Sequence, residues 1–137
     1  MGIVHAEITL KNVKDAFKAK DGLIKDEEIR QATVQAIVDT VAGTLVINEK
    51  LCQQLGLEVR GTKQATLADD RREIVKIVDP VEVHWKNREM ICQPRVISSD
   101  GEVLLGAIPL EDMDLIVDPA RQVLTGAHGD EIVVMLK

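Results

Sequence analysis

The chain has 137 residues, 45% hydrophobic and 29% charged, the mixture of a globular protein with about one domain's length. Seventeen basic against 23 acidic residues leave a net charge of −6, which lacks the basic footprint of a phosphate-backbone binder. Phe17 and Trp85 are the only aromatics, too few to stack single-stranded nucleic acid. No apolar run reaches the roughly 18–20 residues of a membrane span, so neither nucleic acid nor a membrane is expected as a partner.

Residues 1–7 show no basic stretch leading into an apolar one, so no signal peptide is read. Cys52 and Cys92 are far apart, and nothing has the close Cys/His spacing of a zinc site. The expectation is a cytoplasmic chain with two buried thiols, no metal and no cofactor.

Val4, Ala6, Ile8 and Leu10 alternate with His5, Glu7 and Thr9, the period of a half-buried strand with His5 on its solvated side. Residues 11–32 break that period and are crowded with Lys, Asp and Glu around Gly22. They read as a charged insertion or a long, mobile hairpin loop. A strand over about Thr33–Val38 stops at Asp39, and the β-branched run Thr44–Ile47 begins another. Asn48 as N-cap, Glu49 in the first turn, Leu51 and Leu55 at i,i+4, and Gly56 after them predict a short helix over 49–55.

Thr62–Leu67 and Glu73–Val78 flank the turn residues Ala68, Asp69, Asp70 and Arg71, a hairpin tip. Val81, Val83 and Trp85 alternate with Glu82 and His84. After a turn at Lys86-Asn87, Arg88–Ile97 reads as one further strand, at an edge or bulged because it contains Pro94. A turn over Ser98–Gly101 leads to the short buried strand Val103–Leu105, which ends at Gly106. Pro109 lies in the first turn of a short helix ending near Met113. Leu115–Val117 and Gln122–Leu124 are strands, and residues 125–137 carry a last apolar one, Glu131–Leu136. The sum is one all-β, barrel-like domain over 1–137 with one or two short helices.

Ser98 and Ser99 occupy a turn rather than a Gly-x-Ser-x-Gly elbow. A Cys92–His84 pair has nothing in its spacing to demand it, and Gly101 and Gly106 form no phosphate loop. Asp39 is the remaining candidate. It follows an apolar strand and precedes Thr40, Val41, Ala42 and Gly43, then another strand. It is either a turn aspartate that caps its own backbone or a carboxylate displayed at a strand–loop–strand tip.

The run Ala36–Ile47 resembles the active-site segment of retropepsin-like aspartic proteases, whose pattern is apolar-apolar-Asp-Thr-Gly-Ala-Ser/Thr before an apolar strand. Leu55–Leu57, Leu67–Arg71, Leu104–Gly106 with Ile108–Glu111, and Leu115–Pro119 resemble, in order, later segments of the bacterial and archaeal single-domain members. The resemblance implies a closed β-barrel with a flap hairpin, acting as a homodimer on a peptide or protein. The chain has one Asp-Thr segment, so the implied catalytic pair is Asp39 from each of two copies across a two-fold axis. Thr40 would brace the two loops. Val41, Ala42 and Gly43, with the flap residues Ala68, Asp69, Asp70 and Arg71, would bind substrate. Gly106 would let the Leu104-Leu105 strand pass close behind the loop. Three residues depart from the family pattern: Val41 replaces the Gly after Asp-Thr, Gly43 the hydroxyl residue, and Asp70 the flap-tip Gly. Val tolerates a positive φ badly, so the loop has either relaxed or closed the site to a peptide. The alternative to a protease is a catalytically degenerate dimer of the same fold, a peptide-binding or interaction module.

Overall fold

A computed structural model describes residues 2–67, 69–97, 101–134 and 136. Alternation builds the first hairpin: β1 (His5–Asn12) buries Ala6, Ile8, Leu10 and Asn12 and exposes His5 and Glu7. It pairs antiparallel with β2 (Gln31–Val38), Ile8 opposite Val34 and Thr9 opposite Thr33. Then follow β3 (Leu45–Asn48), α2 (Glu49–Gln54), β4 (Val59–Thr66), β5 (Arg72–Val78), β6 (Val81–Trp85), β7 (Arg88–Cys92), β8 (Arg95–Ile97), β9 (Leu104–Leu105), α3 (Ala107–Asp112), β10 (Leu115–Asp118) and β11 (Val123–Gly126). Nine strands join in the order β4-β5-β8-β3-β9-β2-β1-β6-β7, while β10 and β11 pair apart from them. Leu10, Leu45, Ile47, Leu55, Val83 and Leu105 are wholly buried against this sheet, each contributing about 1.5–3 kcal/mol of apolar burial. The edge strands β4 and β7 do not pair with each other. The sheet is therefore curled but open, a half-barrel rather than the closed barrel expected.

The structure also differs from the sequence reading at residues 11–32. They do connect two paired strands, but they are not a plain loop. β1 runs to Asn12, helix α1 spans Val13–Lys20, and a short 3-10 turn occupies Asp26–Glu28. Two buried polar residues explain the order. Asn12 caps α1 by accepting from Asp15 N at 3.1 Å, and its Nδ2 donates to Leu55 O at 2.9 Å. Asp15 accepts from Arg30 N, Nε and Nη2 at 2.8–3.0 Å. Composition alone marks these charges as solvated; their pairing across the insertion folds it.

Residues Arg88–Ile97 form two strands, not one. Pro94 has no N–H for a ladder, and the chain changes partners across it: β7 pairs with β6, whereas β8 pairs with β3 and β5. The last apolar strand is absent among the described residues. Residues 131–134 contain one bridge, Glu131 to His128, and Ile132, Val133, Val134 and Leu136 are exposed. Of the turn expected at Ser98–Gly101, residues 98–100 lie outside the described residues. Cys52 is buried and Cys92 half-buried, both unpaired, and burial pushes the Cys92 thiol up to about 11. Among the described residues, no helix is long and apolar enough to cross a membrane.

The hydrogen bond from the Arg30 side chain holds the Asp15 carboxyl below its usual range despite opposing burial. At Asp79 burial raises the carboxyl, but Glu58 N–H, Arg60 and Lys14 together bring it below that range. A carboxyl lowered on folding stabilises above its unfolded pKa and loses that contribution as pH falls through the folded one. Urea unfolding should therefore show stability declining below about pH 4, and less steeply for Asp15→Asn. Asp15→Ala should cost about 1–3 kcal/mol, because it removes the acceptor of the part-buried Arg30 N–H bond and of the Arg30 guanidinium.

Candidate active site

The loop after β2 is held by the strand beneath it. β9 lies between β2, to which it is parallel (Val38 beside Leu105), and β3, to which it is antiparallel (Leu45 beside Leu105). Four backbone hydrogen bonds tie the loop to β9 and its flanks: Ile37 N to Val103 O at 2.8 Å, Asp39 N to Leu105 O at 3.0 Å, Ala107 N to Ala42 O at 2.8 Å, and Ile108 N to Gly43 O at 3.1 Å. The chain passes so close that a Cβ on Gly106 would lie 2.6 Å from Ala42 O and 2.7 Å from Thr44 N, and closer still to Thr44 O. The φ of Gly106 is an ordinary −90°; space, not conformation, requires glycine there.

Asp39 is half-buried at the end of β2. Its Oδ1 accepts from Val41 N at 3.0 Å and Ala42 N at 3.3 Å. One oxygen caps the loop, as a turn aspartate does, and Oδ2 has no hydrogen-bond partner among the described residues. Asp39 lines a cavity of about 450 Å³ with Ile3, Val38 and Val117. Thr40, which is exposed, lines that cavity and a second one of about 590 Å³ walled by α3, β10 and the segment carrying His128 and Val133.

Val41 is 93% exposed, and neither it nor Gly43 has a positive φ. The loop thus has ordinary geometry, and the valine brings no backbone strain. A Cβ on Gly43 would meet nothing within 4 Å. The left-handed residue is instead Asp70, with φ 66° at the hairpin tip, a conformation Asp adopts more readily than most residues. The tip is closed by Leu67 N to Arg71 O at 2.8 Å and Asp70 N to Leu67 O at 3.0 Å. The Asp69 carboxylate accepts from Arg71 N at 3.2 Å and Nε at 2.5 Å. Ala68 lies outside the described residues. Among those described, no hydrogen bond or ion pair joins residues 39–43 to 69–71, and neither cavity that Thr40 lines has a tip residue in its wall.

Two clusters escaped the sequence reading. His84 faces Glu82 through Nε2 at 2.8 Å and Glu89 through Nδ1 at 3.4 Å. These three groups are near enough to hold a metal ion, with the two carboxylates facing opposite ring nitrogens. This also removes His84 as a partner for Cys92. The second cluster is Asp114 with His128, at 2.7 Å. The hydrogen bond from His128 holds the Asp114 carboxyl below its usual range. The alternation of Glu82 and His84 was a usable signal for the first cluster; the second joins residues 14 apart across a strand pair, and no spacing announces it.

Gly106→Ala should destabilise the protein by about 3 kcal/mol, the upper end for overpacking, because the atoms struck are backbone. Thermal unfolding and amide exchange of residues 39–44 would check this; exchange unchanged in that loop would show that the close passage does not hold it.

No protein-family model matches the sequence, and no curated protein matches it. Solved structures do. The retroviral protease-like domain of Ddi1 from Leishmania major aligns over 100% of this chain and 96% of its own, with TM-score 0.57 and 16% identity. A retropepsin-like aspartic protease from Rickettsia conorii aligns over 85% of this chain and 77% of its own, with TM-score 0.48 and 14% identity. EIAV protease complexed with the inhibitor HBY-793 aligns over 58% of this chain and 76% of its own, with TM-score 0.42 and 23% identity. The full-length alignment with the Leishmania domain shows that the chain has a retropepsin-like fold.

Proposed function

We propose that the protein is an aspartic endopeptidase in which Asp39 from each of two copies forms a dyad at a two-fold axis. The observation that carries this reading is the Asp39 carboxylate itself: half-buried, anchored through Oδ1 by two loop N–H groups, and open at Oδ2 beside a cavity. Brought together, two such carboxylates cannot both ionise, so they share a proton. The ionised member takes a proton from water as the oxygen attacks the peptide carbonyl. The protonated member gives its proton to the carbonyl oxygen, and the tetrahedral intermediate collapses as the leaving nitrogen is protonated. Exposed Thr40 braces the paired loops, the β4–β5 hairpin covers the substrate, and Val41, Ala42 and Gly43 contact it. The apolar residues Ile3, Ile116 and Val134, exposed in the single chain, become buried in the dimer.

One observation favours a second reading, a peptide-binding or interaction module of the same fold: Gly43 offers Asp39 no hydroxyl. The two readings separate on hydrolysis of an unselected peptide library. The endopeptidase reading expects acid-favoured cleavage that survives chelators and falls about 100-fold or more in Asp39→Asn. Gly43→Ser, whose side chain has room, should raise the rate up to about tenfold, the value of roughly one added hydrogen bond. Rates for the wild type and Gly43→Ser both at the Asp39→Asn level would establish the module. Sedimentation should find dimers at tens of micromolar, roughly where a specific two-fold dimer persists; monomer alone would defeat both readings.

A further inference from the structure

The tight turn after β6 fixes a register that gathers three metal-ligating groups. Trp85 pairs with Arg88, so only Lys86 and Asn87 lie between β6 and β7, and Lys86 takes a left-handed φ of 48°. The length of such a turn decides which residues face one another, and a slip of one residue would send each side chain to the opposite face. In the observed register His84 stands directly opposite Glu89. Glu82, two residues before His84, shares its face, while Val81, Val83 and Trp85 are buried on the other.

Glu82 Oε1 lies 2.8 Å from His84 Nε2, and Glu89 Oε2 lies 3.4 Å from His84 Nδ1. One ring nitrogen and one oxygen from each carboxylate all lie within 4.8 Å of one another. Ligand atoms at the corners of a tetrahedron around Zn²⁺, with bonds of about 2.1 Å, are about 3.4 Å apart. Glu82 and His84 are partly buried and Glu89 is exposed, so rotation of the Glu89 side chain closes the remaining distance with the backbone left in place.

The two carboxylates bring two negative charges to an imidazole that supplies at most one positive charge. Among the described residues, His84 is the only group that forms an ion pair with either of them. Lys11 lies opposite Glu82 on β1 and makes no such pair. Like charges on neighbouring strands repel; a divalent cation replaces that repulsion with three bonds and leaves the site neutral. One imidazole with two carboxylates favours a first-row transition ion, whereas Mg²⁺ and Ca²⁺ favour shells of oxygen alone.

We propose that Glu82, His84 and Glu89 form a Zn²⁺-binding site that fastens β7 to β6. β7 is the end strand of the nine-stranded sheet and has a ladder on one side alone. A bond from Glu89 on β7 to an ion held by Glu82 and His84 on β6 adds a cross-link to that ladder, and three protein ligands leave a fourth position for water. The site is separate from the Asp39 loop: β1 lies between β2 and β6, and none of the three ligands lines either cavity that Thr40 borders. Binding of the ion does not depend on the endopeptidase reading, and an ion held here takes no part in cleavage.

The test is calorimetric titration of Zn²⁺ into protein first dialysed against a chelator. One ion should bind per chain with a dissociation constant below about 100 µM, weaker than closed four-ligand sites. Glu89→Gln, at an exposed side chain, leaves the fold intact; it and His84→Gln should each weaken binding at least about tenfold, or about 1.4 kcal/mol. Asp39→Asn, His128→Gln and Cys92→Ser should bind as the wild type does, and Mg²⁺ at about 1 mM should not compete, as its preference for oxygen requires. With Zn²⁺ about tenfold above the dissociation constant, the melting temperature should rise by about 5 °C, and amide exchange should slow in Arg88–Cys92. Binding weaker than about 100 µM, or equal binding by the wild type, Glu89→Gln and His84→Gln, would overturn the site. Loss of binding in Asp39→Asn, His128→Gln or Cys92→Ser would place the ion elsewhere and overturn it as well. Exchange in β7 unchanged by the ion would overturn the fastening. The endopeptidase reading stands or falls separately, on peptide hydrolysis.

Discussion

The threading of β9 between β2 and β3 is the constraint on which the Asp39 loop depends. A two-residue strand, Leu104–Leu105, supplies backbone partners to both sides. The glycine after it lets the chain turn under the loop without striking Ala42 or Thr44. This fixes Asp39 by its backbone, through Leu105 O, before any side-chain contact is made. The carboxylate then adds two hydrogen bonds inside its own loop. A carboxyl fixed twice in this way has little freedom left, which is what proton transfer from a set position requires.

The geometry of the loop also explains why Val41 is tolerated. With no positive φ at residue 41, the penalty that a β-branched side chain would carry there does not arise, and the side chain projects almost wholly into solvent. The unusual backbone moves to the hairpin tip, where Asp70 takes the left-handed conformation. Asp69 folds onto Arg71 at the tip, so two neighbouring acids differ: one is paired, and the Asp70 carboxylate has no partner among the described residues.

Burial of charge follows one rule across the molecule. Asp15, Asp79 and Asp114 are buried and each is met by several donors, so their carboxyls remain ionised. Asp15 ties the insertion between β1 and β2 and Asp114 the turn after β11, both outside the nine-stranded sheet, while Asp79 ties the base of the β4–β5 hairpin within it. Asn12 does the same for α1 without a charge. The sheet supplies the frame, and buried polar groups fasten the connections to it.

Period-two alternation, turn residues and capping residues were sufficient to place nearly every strand, the helix after Asn48 and the helix around Pro109, because these signals are local and each element meets its own preference. The Asp-Thr segment and its ordered companions pointed to the fold on the same local evidence. What failed was decided by distant partners. Residues 11–32 looked solvated because charge was counted without knowing that Asp15 meets Arg30. Arg88–Ile97 looked continuous because the sequence does not say that β7 and β8 pair with different neighbours on either side of Pro94. Glu131–Leu136 alternates like a strand, but among its described residues only Glu131 forms a bridge, to His128. Asp39 was legible as a residue, but not its state: only the fold shows that Oδ1 serves the loop while Oδ2 stands open. Local propensity is written in neighbouring residues; pairing, threading and the satisfaction of buried polar groups depend on residues brought together from far along the chain.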